Sequence, residues 1–193
     1  MTIQKINPRT LVLLAFIVVL AIIRILFSLN PGISPVATFT SLGAMAVFAG
    51  AYFQKSMKAY LFVLITLWLS DVVLNRVHYF NEWVFFYKGW YFVYAAFALV
   101  VFAGQRMIRK VNAKNIALAS LAATLIHWIV TSPACMIGYS LFSADTWEVY
   151  FLNLKSALIF ERNFLVGTLV YSGIFFGLFE WAKTKFTVLQ TAQ

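Results

Sequence analysis

Long, uninterrupted apolar runs constrain this chain more than any other feature. They cover residues 11 to 29, 36 to 53, 59 to 75, 89 to 105, 115 to 141 and 163 to 182. Crossing the hydrocarbon core of a bilayer takes roughly 20 residues of α-helix, and the runs are 17 to 27 residues long. A backbone in lipid has no water to satisfy its N–H and C=O groups, so only helices and closed barrels cross. Barrel strands alternate polar and apolar positions over about ten residues, whereas these runs are apolar on every side. Water is also ruled out as the surrounding solvent, because charged residues make up 11% of the 193 positions against about 25% in an ordinary soluble domain. The expectation is an all-α fold: one domain over residues 1–193, a polytopic integral membrane helical bundle of six transmembrane helices.

The formal charge of +9 invites a nucleic-acid reading, but its distribution argues otherwise. With the N-terminus in the cytoplasm, Lys5, Arg9, Lys55, Lys58, Arg106, Arg109, Lys110, Lys114, Lys183 and Lys185 lie inside, and only Arg76, Lys88, Lys155 and Arg162 lie outside. Such asymmetry is the positive-inside signal of a cytoplasmic-membrane protein with both termini inside. Nucleic-acid binding calls for a continuous basic face interleaved with aromatics, and here the basic residues form short clusters at span ends. The first run is expected to stay as a helix, because Ile-Ile-Arg-Ile-Leu-Phe follows Ala21 without the small-x-small pair of a cleavage site. Arg24, near its outer end, either snorkels to the interface or faces inward as an anion ligand.

Polar residues placed where they are costly concentrate toward the outer ends of the spans. Asp71, Asn75 and His78 are spaced i, i+4, i+7, which puts them on one helical face with Trp68 a turn earlier. An intramembrane carboxylate is a functional-site hypothesis by default; the alternative is that Asp71 pairs with Arg24 or Arg76 only to satisfy itself. The segment from Tyr79 to Tyr91, with Trp83 and Trp90, is dense in aromatics. It is either an interfacial belt or a set of rings that stack on a flat ligand. A loop over about 142 to 162, with room for a short interfacial helix, ends at Glu161-Arg162-Asn163 and forms a second wall for an outward-facing pocket. His127 lies mid-span, either hydrogen-bonded within the bundle or a ligand, and Pro133 is expected to kink or interrupt the fifth helix. Gly43, Ala44, Ala46, Ala49, Gly50 and Ala51 make the second span narrow, and Gly173 and Gly177 form a GxxxG in the sixth. Both features predict close helix contacts, within the chain or with a partner subunit.

Several chemistries lack their residues. The two histidines are far apart in sequence, so no zinc motif such as H-E-x-x-H is visible, and one cysteine, Cys135, cannot form an internal disulfide. No phosphate-cradling glycine loop for ATP is present. A haem held between His78 and His127 would be badly tilted. No cofactor is expected, and the chain is not expected to be an enzyme.

The stretches Ser34-Pro35, Ala37, Val47 to Phe53 and Leu69-Ser70-Asp71, together with Tyr150 to Phe179 and its Phe160-Glu161-Arg162-Asn163, carry a resemblance. They resemble an uncharacterised bacterial family of transport proteins similar to the substrate-binding S component of energy-coupling-factor transporters. Thr168, where that family tends to carry an aspartate, and Thr131-Ser132-Pro133 depart from its pattern. The resemblance implies capture of a vitamin-like or other micronutrient from outside, with a membrane coupling subunit and two ATPases as partners. It also implies that Ser34-Pro35, Ser70-Asp71 and Arg162-Asn163 flank the cavity. On this reading Asp71, Asn75, His78, Arg162, Asn163, Arg24 and His127 supply polar contacts to a small-molecule ligand, and Trp68, Trp83 and Trp90 stack on it. The alternatives are a non-transporting membrane scaffold or accessory subunit, and an intramembrane enzyme using Asp71 or His127.

Overall fold

The structure, a computed structural model, describes residues 8–29, 41–53, 56–138 and 144–189. Lys5, Ser34, Pro35, Ala37 and Lys55 lie outside them, as do residues 36–40 of the expected second span. Every regular element among the described residues is helical: α1 (Pro8–Leu29), α2 (Leu42–Tyr52), α3 (Met57–Leu74) running into a π-helical turn (Asn75–Tyr79), α4 (Trp90–Met107), α5 (Ala113–Thr131) running into a 3₁₀ turn (Ser132–Met136), and α6 (Ala144–Lys185) followed by a short 3₁₀ turn. Four stretches are long and apolar enough to cross a membrane: Met57–Tyr79, Trp90–Met107, Ala113–Met136 and Asp145–Lys185. Their outward faces carry Leu61, Ile65 and Leu69 on α3, Leu118, Leu121 and Leu125 on α5, and Ile174 and Leu178 on α6, all exposed. Side chains three and four apart share a helix face, and apolar faces this continuous are found where lipid covers them. The chain is a helical membrane protein.

At the centre lies α2, whose residues Leu42 to Ala51 are all buried. A helix that is apolar all round has no face for water and belongs inside. Its 11 residues span about 16 Å at 1.5 Å per residue, well short of the bilayer core. It packs against α1, α3, α4, α5 and α6, and small residues allow this. A side chain on Gly50 would run into the Val101 carbonyl of α4, and a Cβ on Gly104 of α4 would lie 2.7 Å from the Val47 carbonyl. A Cβ on Gly43 would meet Thr168 of α6 in the same way. The rings of Phe48 and Tyr52 meet Phe176 and Phe179 at centroid distances of 4.4 to 5.7 Å, and Tyr52 Oη donates to Glu180 Oε1 at 2.5 Å.

The small residues of the second run thus pack inside the chain, as expected. Those of the sixth do not: Gly173 and Gly177 are exposed, with nothing within 4 Å of either Cβ position.

Pro133 interrupts the fifth helix as expected, and the chain tightens there into the 3₁₀ turn. Ser132 Oγ donates to the Trp128 carbonyl at 2.6 Å and Thr131 Oγ1 to that of His127 at 2.7 Å.

The region expected as a loop over 142 to 162 is helical from Ala144, the first part of the 42-residue α6. Residues 144–162 contain neither glycine nor proline, so nothing stops the helix, and its polar residues are those of a helix surface rather than a loop. α5 holds this part of α6 in place: Trp128 Nε1 donates to the Leu154 carbonyl at 3.0 Å, and His127 Nδ1 lies 2.8 Å from Glu161 Oε1. A carboxylate oxygen only accepts, so Nδ1 carries the hydrogen. The Phe164 ring stacks on the imidazole at 4.4 Å and Phe97 of α4 meets it edge-on at 5.7 Å.

Gly104→Val is expected to destabilise the detergent-solubilised protein by at least about 1–3 kcal/mol, the usual cost of overpacking, while Gly177→Val leaves its unfolding midpoint unchanged. Chemical unfolding of the two variants side by side reads the difference. In the same assay Glu161→Ala is expected to cost about 1–3 kcal/mol, because it leaves the partly buried His127 Nδ1–H without its acceptor. The double variant His127→Phe/Glu161→Leu is expected to recover much of that loss.

Candidate functional site

Three helices and one loop converge at the end of the bundle where α3 finishes. From α1, Arg24 reaches inward: Nη2 donates to Asp71 Oδ1 at 2.6 Å and Nη1 donates to Ser70 Oγ. Ser70 Oγ in turn donates to the Leu67 carbonyl at 2.8 Å. From α4, Tyr94 Oη lies 3.4 Å from Asp71 Oδ2. Asp71 is therefore buried with a cation on one oxygen and a phenol beside the other. Of the two readings open for Arg24, the structure has the inward-facing one, and of the two partners open for Asp71 it has Arg24. The side chains of this pair are 15% and 7% exposed, so the charges meet at the edge of the interior rather than deep within it.

Beyond Asp71 the helix changes pitch. The Phe80 amide donates to the Asn75 carbonyl at 2.9 Å, five residues back, which closes the π turn. Such turns are rare and frequent at functional sites. The wider turn advances less angle per residue, so the face expected to carry Asp71, Asn75 and His78 together breaks after Asn75. Asn75 stays buried, and its Nδ2 donates to the Val84 carbonyl at 2.8 Å. His78 is exposed, edge-on to Tyr79 at 4.9 Å.

The aromatic segment then folds back over this end. Arg76 Nη1 donates to the Asn81 carbonyl at 2.5 Å and to Asn81 Oδ1 at 2.8 Å, with Asn81 in the left-handed region at φ 58°. Asparagine tolerates that conformation better than most residues. Gly89, at φ 84°, turns the chain into α4 where a side chain would be strained.

Between these parts lies a cavity of about 420 Å³ lined by Arg24, Asp71, Asn75, Tyr79, Phe80 and Tyr87, a size within the range of small-molecule sites. Burial pushes the Tyr87 phenol well above its ordinary pKa, and the nearby Asp71 carboxylate adds to the shift. Tyr87 thus presents a neutral hydroxyl to the cavity at physiological pH, a group that both donates and accepts.

Arg24, Asp71 and Asn75 are the expected site residues that line this cavity. Trp68 stacks on Phe85 at 6.2 Å, and its buried Nε1 has no partner. Trp90 packs on Phe86 at 4.6 Å and on Tyr94 at 5.2 Å. Trp83 is exposed, with the Arg76 guanidinium 5.9 Å from its ring centre.

His127 belongs to the α5–α6 contact already described. Arg162 is exposed and Asn163 partly buried on α6. Neither lines the cavity, because the inward position in that turn is taken by Glu161. Sequence reasoning missed Tyr87 and Tyr94, although both lie in or within a turn of the aromatic run it singled out. It also missed that Glu161 pairs with His127. Among the described residues no three His, Cys, Asp or Glu side chains converge to hold a metal ion.

No curated protein and no solved structure matches the chain. Residues 4–189, nearly its whole length, match one family, and the chain belongs to that family, the family of unknown function DUF6580.

Proposed function

We propose that this protein captures a small solute for uptake across the cytoplasmic membrane, as a substrate-binding subunit of the energy-coupling-factor S-component type. The observation that carries the reading is the cavity beside Arg24 and Asp71. A cation, a carboxylate, an amide and phenols gather there on a 420 Å³ space, roofed by an aromatic segment that is anchored at Asn75 and Arg76. Solute sites are built in this way, from an apolar shell with a few convergent polar groups.

On this reading the chain crosses the membrane six times with both termini in the cytoplasm, α2 forming part of the second crossing, and the cavity faces outward. The charge distribution supports that orientation, since Lys58, Arg106, Arg109, Lys110, Lys114, Lys183 and Lys185 gather at the opposite end from the cavity. The sequence carries no nucleotide-binding motif of its own, so energy for uptake comes from a coupling subunit and ATPases.

One observation favours the second reading, a non-transporting accessory subunit: Gly173 and Gly177 present an open face on α6, with nothing within 4 Å of either Cβ position. Small residues in that spacing let another helix approach closely. A transport partner would use the same face, so the two readings divide on whether the cavity binds anything.

A thermal-shift screen of the purified protein against water-soluble vitamins, nucleobases, amino acids and divalent metals makes that division. A ligand at a hundredfold excess over its Kd adds about 2.7 kcal/mol to the folded state. The proposal expects a reproducible hit that weakens about tenfold or more in Tyr87→Phe and is lost in Asp71→Asn. No hit from a well-folded sample, together with co-purification of a membrane partner that Gly177→Leu abolishes, would sink it in favour of the accessory role.

A further inference from the structure

The opposite end of α3 carries a second, larger opening. Ser56, Met57 and Tyr60 at the start of α3 and Phe102, Gln105, Arg106 and Arg109 at the end of α4 enclose about 760 Å³. Its lining holds two guanidinium groups and no carboxylate. Among the described residues the ion pairs are Arg24–Asp71, His127–Glu161 and Lys183–Glu180, so neither Arg106 nor Arg109 is neutralised by an acid.

Three further observations point the same way. First, Tyr60 Oη donates to Gln105 Oε1 at 3.1 Å, which fixes the amide, while Gln105 Nε2 is buried with no partner. A buried donor left unsatisfied is costly, and an acceptor entering the opening removes that cost once the amide group turns toward it. Second, α3 begins here with the Ser56 hydroxyl as its cap, accepting from the Lys58 amide, and no acidic residue in its first turn, so the partial positive charge of an 18-residue helix faces the same space without a counter-charge. Third, Arg106 lies over the Phe102 ring at 4.9 Å, a cation–π contact that holds the guanidinium in place before anything binds.

These features describe a site for a phosphate-type oxyanion, which accepts several N–H bonds at once and suits the planar fork of arginine. The rim says which kind. Met57 and Phe102 are 70% and 44% exposed, so the opening has an apolar lip, and it lies at the ends of two helices long and apolar enough to cross a membrane, where headgroups are met. Its volume far exceeds what a lone anion needs. Exposed Lys58 and Lys110 follow its lining residues Met57 and Arg109 in the chain, and basic openings between transmembrane helices are where anionic headgroups are held. We propose that the opening between the start of α3 and the end of α4 binds the phosphate of an anionic membrane phospholipid, with Arg106, Arg109 and Gln105 Nε2 on the phosphate and Met57 and Phe102 against the start of the acyl chains. This site shares no residue with the cavity at the other end of α3 and stands independently of the solute-capture reading.

The test uses the full-length, delipidated protein in a neutral detergent, titrated with micelles containing phosphatidylglycerol, micelles containing phosphatidylcholine, and inorganic phosphate alone, with thermal unfolding as the readout. The expected result is stabilisation by phosphatidylglycerol at concentrations where phosphatidylcholine and inorganic phosphate do nothing. In Arg106→Gln/Arg109→Gln the midpoint of that titration should rise at least tenfold. Both side chains are exposed, so the lipid-free melting temperature of this variant should match the parent. Gln105→Met, which removes the buried donor and keeps the side-chain length, should weaken binding several-fold while Arg106 and Arg109 remain. Equal stabilisation by the two lipids, or an unchanged midpoint in the double arginine variant, would overturn the proposal. An equal response to inorganic phosphate would replace it with a site for a free anion.

Discussion

In a bilayer, burying leucine against leucine gains almost nothing, because the lipid tails outside are as apolar as the protein inside. What holds helices together is close packing, interhelical hydrogen bonds and a few ion pairs. The bundle is organised around that constraint. α2 is buried throughout because Gly50 and the facing Gly104 let backbones approach to distances that a single added methyl would forbid, and Gly43 leaves room for the side chains of Thr168 and Phe164. The aromatic rings of Phe48, Tyr52, Phe176 and Phe179 fill the space left on the α6 side. Three close polar contacts join different helices: Arg24 to Asp71 ties α1 to α3, His127 to Glu161 ties α5 to α6, and Tyr52 to Glu180 ties α2 to α6.

These contacts are not equivalent, and the difference separates structure from the candidate site. The imidazole of His127 lies between the Phe164 and Phe97 rings with its carboxylate partner buried. Arg24 and Asp71 make as close a pair, yet they line an opening together with Asn75 and Tyr87. The π turn makes this possible. It breaks the regular stacking after Asn75, frees the chain to fold back through Asn81, and brings the aromatic segment across the end of the bundle.

Much of this was legible in the sequence. Apolar run length gave the helices, because the length needed to cross a bilayer is set by geometry. The cost of an intramembrane carboxylate singled out Asp71, and the helical period added Asn75. His78 escaped because a one-residue change in hydrogen-bond register is invisible to a fixed 3.6-residue period. Polarity alone makes the stretch from 144 to 162 resemble a loop, yet its polar residues lie along a helix with no glycine or proline to break it. Glu161 and Arg162 are neighbours in sequence, but a helix turns about 100° per residue, so one meets His127 and the other stays exposed. Which of two adjacent charges faces inward depends on the partner helix. For the same reason GxxxG in α6 and the small residues of α2 looked alike in sequence and point to opposite environments.

The Arg24–Asp71 pair also bears on what the cavity would accept under the proposed function. At 2.6 Å the two charges largely cancel beyond their own neighbourhood, so the opening presents a strong local dipole rather than a net charge. An anion drawn to Arg24 would have to displace Asp71, and a cation drawn to Asp71 would have to displace Arg24, each leaving a partly buried charge without its partner. Separating such a pair is costly. A solute that carries donor and acceptor groups side by side, with no net charge, can instead lie along the pair and hydrogen-bond to both without separating them. The neutral Tyr87 hydroxyl and the surrounding rings of Tyr79 and Phe80 suit the same kind of molecule. Under the proposed function, the cavity would therefore favour a dipolar solute without net charge over a simple ion.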